Sequence, residues 1–155
     1  MAFWLFKSEP DVFSFDDLKK APGRTTFWEG VRNYQARNFL RDAIVKGDGV
    51  LFYHSRTEPM AVVGTAVVVR EGHPDPTQFD KKAKYFDEGA KLDAPRWYGV
   101  DIRYDQAFKT PVTLKAIKET KALVGMMLVQ SGARLSIQPV SGAEWRAINA
   151  MGDET

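Results

Sequence analysis

The chain has 155 residues, of which 44% are hydrophobic and 27% are charged, and this composition is ordinary for one globular domain of that length. It contains no cysteine and two histidines, which excludes disulfides, thiolate zinc sites and cysteine nucleophiles and disfavours a histidine-based metal site. The net charge of +2 permits contact with nucleic acid without requiring it.

Apolar runs separated by turn residues predict six short strands. The first of them, FWLFK, is apolar up to its last residue and should lie inside a sheet. The run AVVGTAVVV is almost continuously apolar, which indicates a strand covered on both faces, with Gly64 at a bend or bulge. The last run alternates, so Ser136 and Gln138 should point outward together. The predicted strands are 3–7, 24–28, 50–54, 61–69, 96–108 and 134–138.

Capping residues and apolar periodicity predict short helices between these strands. One helix carries apolar side chains at helical spacing, with Asn33 as its N-cap and Gly47 as its stop. The polar segment 71–95 is predicted to be a long surface loop with about one helical turn near 77–79. The remaining predicted helices are 14–20, capped by Ser14 with Asp17; 114–119, capped by Thr113; 122–129; and a last one capped by Ser141 with Glu144.

The order of these elements predicts the fold class. Five or six strands interleaved with short helices, with no repeats and no linker, indicate a mixed α+β fold. We expect a small β-barrel flanked by short helices rather than a doubly wound sheet, formed by a single domain over residues 1–155.

Catalytic motifs are missing from the sequence. Nucleophilic hydrolysis needs an exposed serine within reach of a histidine, and His54 and Ser55 are strand neighbours that point to opposite faces. There is no G-x-S-x-G elbow, no phosphate-binding glycine loop and no H-E-x-x-H. The pair Asp75 and Asp80 falls in the polar segment, where capping explains it. We therefore expect a protein that is not an enzyme and has no cofactor and no metal.

Small polar side chains and aromatic rings are better candidates for function. A pocket that stacks a flat heterocycle and hydrogen-bonds its edge needs residues of these two kinds. Each candidate also has an ordinary structural interpretation: a core ring for Trp28, and turn chemistry for Ser8 and Ser55. The residue pattern alone does not choose between the two interpretations.

Several motifs match one known family in the same order along the chain. They are FWLFKSEP at 3–10, WEGVRNYQARNFL at 28–40, GD at 47–48, LFYHS at 51–55, PDPTQFD at 74–80, RW at 96–97 and RLSIQPVS at 134–141. Over about residues 2–150 the chain resembles the EVE domain of the thymocyte nuclear protein family. The resemblance implies a PUA-like fold, a small bent β-barrel, and a reader of modified bases, in particular modified cytosines such as 5-methylcytosine in DNA.

The resemblance also implies which residues hold the base after it leaves its stack. The implied pocket residues are Trp28 as a wall, Asn33 and Tyr34 at a helix start, Ser8 and Ser55 on the floor, and Ser136 and Gln138 on the opposite side. The implied contacts to phosphates or to a base edge are Lys7, Arg32 and Arg96. In place of the turn expected in the family the chain has RTEPMA at 56–61, which would put Met60 at the pocket rim.

Two other functions stay open. The PUA relationship allows an RNA-binding module that recognises a modified tRNA or rRNA nucleotide through the same pocket. A hydrolase or nuclease acting on a modified nucleotide is the second alternative, and the scarcity of metal ligands speaks against it. No stretch approaches the roughly 18 apolar residues of a membrane span. We therefore expect a soluble monomer in the cytoplasm, at the nucleoid or in the nucleus according to its organism, with modified DNA or RNA as its partner.

Overall fold

One mixed sheet of six strands organises the computed structural model, which describes residues 1–132 and 134–153. Its order is β2-β5-β4-β3-β1-β6, with β1 parallel to β3 and all other neighbours antiparallel. The strands are β1 (Phe3–Ser8), β2 (Thr25–Phe27), β3 (Gly49–His54), β4 (Ala61–Pro74), β5 (Tyr98–Thr113) and β6 (Ile137–Val140). The predicted class, mixed α+β with six strands and short helices, is confirmed. Strands β2 and β6 are the two edges of the sheet, and no pairing within the described residues joins them.

Short helices connect the strands, and their predicted N-caps are confirmed. The side chains of Ser14, Asn33, Thr113 and Ser141 each accept a backbone N–H three residues ahead, at 3.0 to 3.1 Å. The predicted stop at Gly47 is wrong, because the helix capped by Asn33 ends at Ala43 with Ile44 as its C-cap. The helices are α1 (Phe15–Lys20), α2 (Tyr34–Asn38), which continues as a π-helix (Phe39–Ala43), α3 (Leu114–Lys118) and α4 (Gly142–Asp153). The described residues also contain 3₁₀ helices at Pro22–Arg24, Pro76–Phe79, Lys121–Leu123 and Met127–Val129. None of the helices in the described ranges is long and apolar enough to cross a membrane.

Several predicted boundaries are wrong. Strand β4 runs on to Pro74, so the segment predicted as a loop from residue 71 begins inside a strand. The helix predicted over 122–129 consists instead of two separate 3₁₀ turns. Strand β6 begins only at Ile137, three residues later than predicted. The predicted irregularity at Gly64 is confirmed, because the β4–β5 register shifts there and a Cβ would collide with the Phe15 ring.

The sheet is covered on both faces by separate hydrophobic clusters. Trp4 and Phe6 of β1 face a cluster with α1 and α2, whereas Leu5 between them faces a cluster with α3 and α4. Val50 and Phe52 of β3 join the first cluster, in step with the period of two residues in a strand. Strands β1 and β3 are therefore apolar on both sides, and their most polar residues, Lys7, Ser8 and His54, come at their ends.

Candidate nucleic-acid interface

A cleft of about 820 Å³ lies where the ends of β1 and β3 meet the segment between β2 and α2. Six of the predicted site residues line it: Lys7, Ser8, Trp28, Arg32, Ser55 and Ser136. The parallel pairing of β1 with β3 explains this convergence, because it places Ser8 opposite His54. The backbone N–H of Ser55 then donates to the Ser8 carbonyl at 3.0 Å. The N–H of Lys7 donates to the Ser136 carbonyl at 2.9 Å and draws the third chain segment alongside.

Trp28 is both a ring of the hydrophobic core and a wall of the cleft, the two interpretations that the sequence left open. It is only 7% exposed and packs against Phe6, with ring centroids 5.3 Å apart, and edge-on against Phe52 at 5.5 Å. It also lines the cleft. The ring is therefore held rigidly by the core while part of it faces the cleft, which suits a stacking wall.

Three serine hydroxyls line the cleft, and they differ in whether the protein already uses them in hydrogen bonds. The Ser8 hydroxyl donates to the Phe13 carbonyl at 2.5 Å, which is turn chemistry. Within the described residues, the hydroxyls of Ser55 and Ser136 make no side-chain hydrogen bond and remain able to bind a ligand.

Basic residues outnumber acidic ones around the cleft. Lys7, Arg32, Arg56 and Arg134 line it together with Glu9 and Glu29. Burial lowers the pKa of Lys7 from its ordinary value. Burial and the nearby charge of Asp75 raise the pKa of Glu29 from its ordinary value. The cleft as a whole therefore favours an anionic ligand.

Three rings of the lining were not among the predicted site residues: Phe13, Phe27 and Tyr85. Tyr85 comes from the long polar segment, more than fifty residues away from Trp28 in sequence. Its ring lies so close to Gly30 that a Cβ there would come within 2.6 Å of it. No periodicity marks Tyr85 in the sequence. The local sequence feature connected with this contact is Gly30 in the WEG tripeptide at 28–30. It adopts a φ of +82°, a left-handed conformation that glycine accepts readily.

Arg32 lines the cleft, but its guanidinium is engaged by the protein itself. Its Nε and Nη2 donate to the Tyr85 carbonyl at 3.2 and 2.6 Å, and Nη2 also donates to Thr77 at 3.0 Å. Its Nη1 donates to the Val31 carbonyl and to Asp75, both at 3.1 Å. These five bonds use the five N–H donors of a guanidinium. Arg32 therefore positions the Tyr85 segment, and the geometry disagrees with the predicted phosphate contact.

Asp75 is the buried centre of this network. Its side chain is fully buried and accepts from the Gly30 N–H at 2.8 Å and from both the N–H and the hydroxyl of Thr77 at 2.8 and 2.6 Å. Burial acts to raise the pKa of Asp75, but the hydrogen bonds from Gly30, Thr77 and Arg32 outweigh it and hold that pKa below its usual value. Asp75 thus joins the Gly30 turn to the Tyr85 segment, and capping is only part of its role.

Four predicted site residues do not line the cleft. Asn33 caps α2 and accepts from the Ala36 N–H. Tyr34 stacks on Trp97 outside the cleft, with centroids 4.9 Å apart. Arg96 forms an ion pair with Asp87 at 3.2 Å. The fourth residue is Gln138.

Gln138 is fully buried, so the expectation that it points outward with Ser136 is wrong. It is opposite Leu5 in the β1–β6 register, and Leu5 belongs to the cluster on the far face of the sheet. Because β6 begins at Ile137, the alternation does not extend back to Ser136. The position of Met60 was also predicted wrongly, since it lines a separate groove with Pro59 and Leu114.

Nothing in the described ranges resembles a metal centre. No group of three or more histidine, aspartate or glutamate side chains there is placed to hold a metal ion.

The fold is that of a PUA-like domain. The chain belongs to the EVE domain family, whose sequence pattern matches residues 2–151. It is 40% identical to chicken thymocyte nuclear protein 1, over 97% of this chain and 69% of the relative. A structure of the human THYN1 protein in complex with 5-methylcytosine containing DNA is similar with a TM-score of 0.94 at 37% identity, covering 100% and 99% of the two chains. A protein from Pseudomonas syringae gives a TM-score of 0.91 at 42% identity, covering 97% and 99%.

Proposed function

We propose that this chain is a non-catalytic DNA-binding domain that holds a modified cytosine, taken out of the duplex, in the cleft. The observation that carries the proposal is the convergence of the Trp28 ring with the available hydroxyls of Ser55 and Ser136 in one basic cleft. Its volume of about 820 Å³ lies within the roughly 300–1,000 Å³ of small-molecule sites. The complex of the related human protein supports methylated cytosine as the ligand class.

The cleft offers the interactions that are needed to bind an extruded base. Extruding a base costs a few kcal/mol of stacking and pairing energy. Stacking on an aromatic ring returns roughly 1–3 kcal/mol per base, and hydrogen bonds to the serine hydroxyls add to it. Two arginines of the lining attract the phosphate backbone: Arg134, and Arg56, which also forms an exposed ion pair with Glu9 at 3.6 Å. We further propose that one chain binds one site as a monomer, wherever the cell keeps its DNA.

Fluorescence anisotropy tests the proposal. Labelled duplexes that carry cytosine, 5-methylcytosine or 5-hydroxymethylcytosine at one central position are titrated with the protein at one fixed salt concentration. We expect tighter binding of a modified duplex than of the cytosine duplex. Equal affinities for all three, or no binding at low salt, would contradict the proposal. Intact oligonucleotides after incubation with divalent metals support the absence of catalysis, whereas cleaved products contradict it.

Two further arms of the same titration sharpen the result. Trp28→Phe keeps a ring in the core and should lower the preference for the modified duplex by about three- to tenfold, because a smaller ring stacks less. An RNA of matched sequence and modification should bind more weakly. Tighter binding of the RNA would assign the cleft to a ribonucleotide, since the 2′-hydroxyl distinguishes the two ligands.

A further inference from the structure

Cations and aromatic rings form one continuous row, of which Tyr85 and Arg32 line the cleft. Lys84 lies 5.5 Å from the Tyr85 ring, and the Arg32 guanidinium lies 5.7 Å from the same ring. Arg32 is also 5.4 Å from the Trp97 ring, which stacks on Tyr34. Arg37 ends the row at 5.0 Å from the Tyr34 ring. We call these residues the cation–aromatic row: Lys84, Tyr85, Arg32, Trp97, Tyr34 and Arg37.

The outer end of the row is exposed and close to the cleft. Tyr34 is 54% exposed although its ring stacks on Trp97. The spacings of 4.9 Å from Tyr34 to Trp97 and 5.4 Å from Trp97 to Arg32 put the Tyr34 ring within roughly 10 Å of the Arg32 guanidinium, a distance that about three nucleotides span at 3.4 Å each. A nucleic-acid strand with one base in the cleft therefore reaches Tyr34 with its flanking nucleotides.

Tyr34 and Arg37, at this end of the row, each have a hydrogen-bonding group that the described part of the protein does not use. Arg37 donates from Nη1 to the Arg96 carbonyl at 2.7 Å and from Nε to Asn38 at 2.9 Å. Within the described part of the chain, its Nη2 and the Tyr34 hydroxyl make no hydrogen bond. Arg37 is therefore fixed in place by two bonds while part of its fork faces outward. Guanidinium and phenol groups are common donors to phosphate oxygens.

We propose that Tyr34 and Arg37 form a second DNA contact outside the cleft, which binds a backbone phosphate flanking the extruded base. The proposal rests on the proposed function and gives the exposed end of the row a separate role. The cleft reads the modification, and the Tyr34–Arg37 contact positions the strand without reading sequence, because phosphates carry no base information.

Arg37→Gln tests this contact, with Arg146→Gln as the matched control. Both variants remove one exposed or half-buried positive charge, but Arg146 lies on α4, against the opposite face of the sheet. Duplexes with and without a central modified cytosine are titrated between about 50 and 200 mM salt. We expect Arg37→Gln to weaken both duplexes equally, by about three- to tenfold, and to lower the slope of log affinity against log salt by about 1. Arg146→Gln should match the wild type.

Tyr34→Ala provides a second, independent variant. We expect it to weaken both duplexes by a similar factor and to leave the preference for the modified base unchanged, with folding verified by thermal unfolding. If Arg37→Gln and Tyr34→Ala both bind like the control, with an unchanged salt slope, the second contact does not exist, although the cleft still reads the base. If the wild type shows no preference for the modified duplex, the proposed function itself has failed, and this inference falls with it.

Discussion

At the scale of single residues, Gly30 decides the shape of the cleft wall. Its φ of +82° lies in the left-handed region, and its missing Cβ leaves space for the Tyr85 ring. Gly47 has a similar φ of +95°, but a Cβ added there would meet no atom within 4 Å. Substitution of Gly47 therefore tests backbone strain alone, whereas substitution of Gly30 tests backbone strain together with a steric clash.

Gly30→Ala should destabilise the fold more than Gly47→Ala does. Both substitutions carry a left-handed backbone cost of about 1–2 kcal/mol. Gly30→Ala adds a clash with Tyr85, which we expect to cost a further 1–3 kcal/mol or so. Urea unfolding of the two variants beside the wild type measures the difference. Equal losses would mean that Tyr85 moves away freely and does not form a fixed wall.

At the scale of elements, Asp75 connects two segments that, within the described residues, share no strand pairing. The turn at Gly30 and the segment at Thr77 both donate to its carboxylate, and Arg32 bridges from there to Tyr85. Hydrogen bonds to this one carboxylate hold the two segments together, as backbone hydrogen bonds hold neighbouring strands of a sheet together. The cleft wall therefore depends on one buried charge.

Asp75→Asn should lower the free energy of unfolding by about 2–4 kcal/mol, because an amide cannot accept from all these donors and leaves Arg32 without its buried partner. The matched control is Asp16→Asn, which breaks an exposed i,i+4 pair with Lys20. We expect little or no change from that control. Chemical denaturation measures both. A loss for Asp75→Asn no larger than that of the control would show that the network contributes no stability.

At the scale of the whole molecule, stability should depend on pH through His54, which links α1 to the end of β3. Its Nε2 accepts the Phe15 N–H at 3.1 Å, and only a neutral ring can do so. Burial lowers the pKa of His54 below its ordinary value. The unfolded chain therefore binds a proton at His54 more readily than the folded protein does. The contribution of His54 to the free energy of unfolding is present above the pKa of His54 in the unfolded chain, and it is lost as the pH falls through the pKa of His54 in the folded protein.

We therefore expect the free energy of unfolding to decrease as the pH is lowered from about 7.5 to 5, the range in which a histidine of ordinary pKa near 6.5 gains its proton. His54→Gln should decrease less over the same range, because glutamine accepts the bond without titrating. Urea unfolding at a series of pH values compares the two proteins. Parallel curves would show that His54 does not couple protonation to folding.

The sequence by itself determined most of the elements and their N-caps. Period-two apolar runs and side chains such as Ser14, Asn33 and Ser141 act over a few residues, so local patterns predicted them correctly. The order of the motifs also predicted the family. Six of the predicted site residues reached the cleft because they lie at or next to the end of a strand, or in the segment between β2 and α2.

Only the tertiary structure decided which side chains face the cleft. Tyr85 enters it through a carbonyl bond to Arg32, a contact across 53 residues that no local pattern encodes. Tyr34 leaves it because Trp97, from another part of the chain, offers a stacking partner. Gln138 is buried because the β1–β6 register places it opposite Leu5. Local sequence fixes backbone conformation through short-range sterics and hydrogen bonds, whereas the direction of a side chain at a strand end or in a loop depends on distant neighbours.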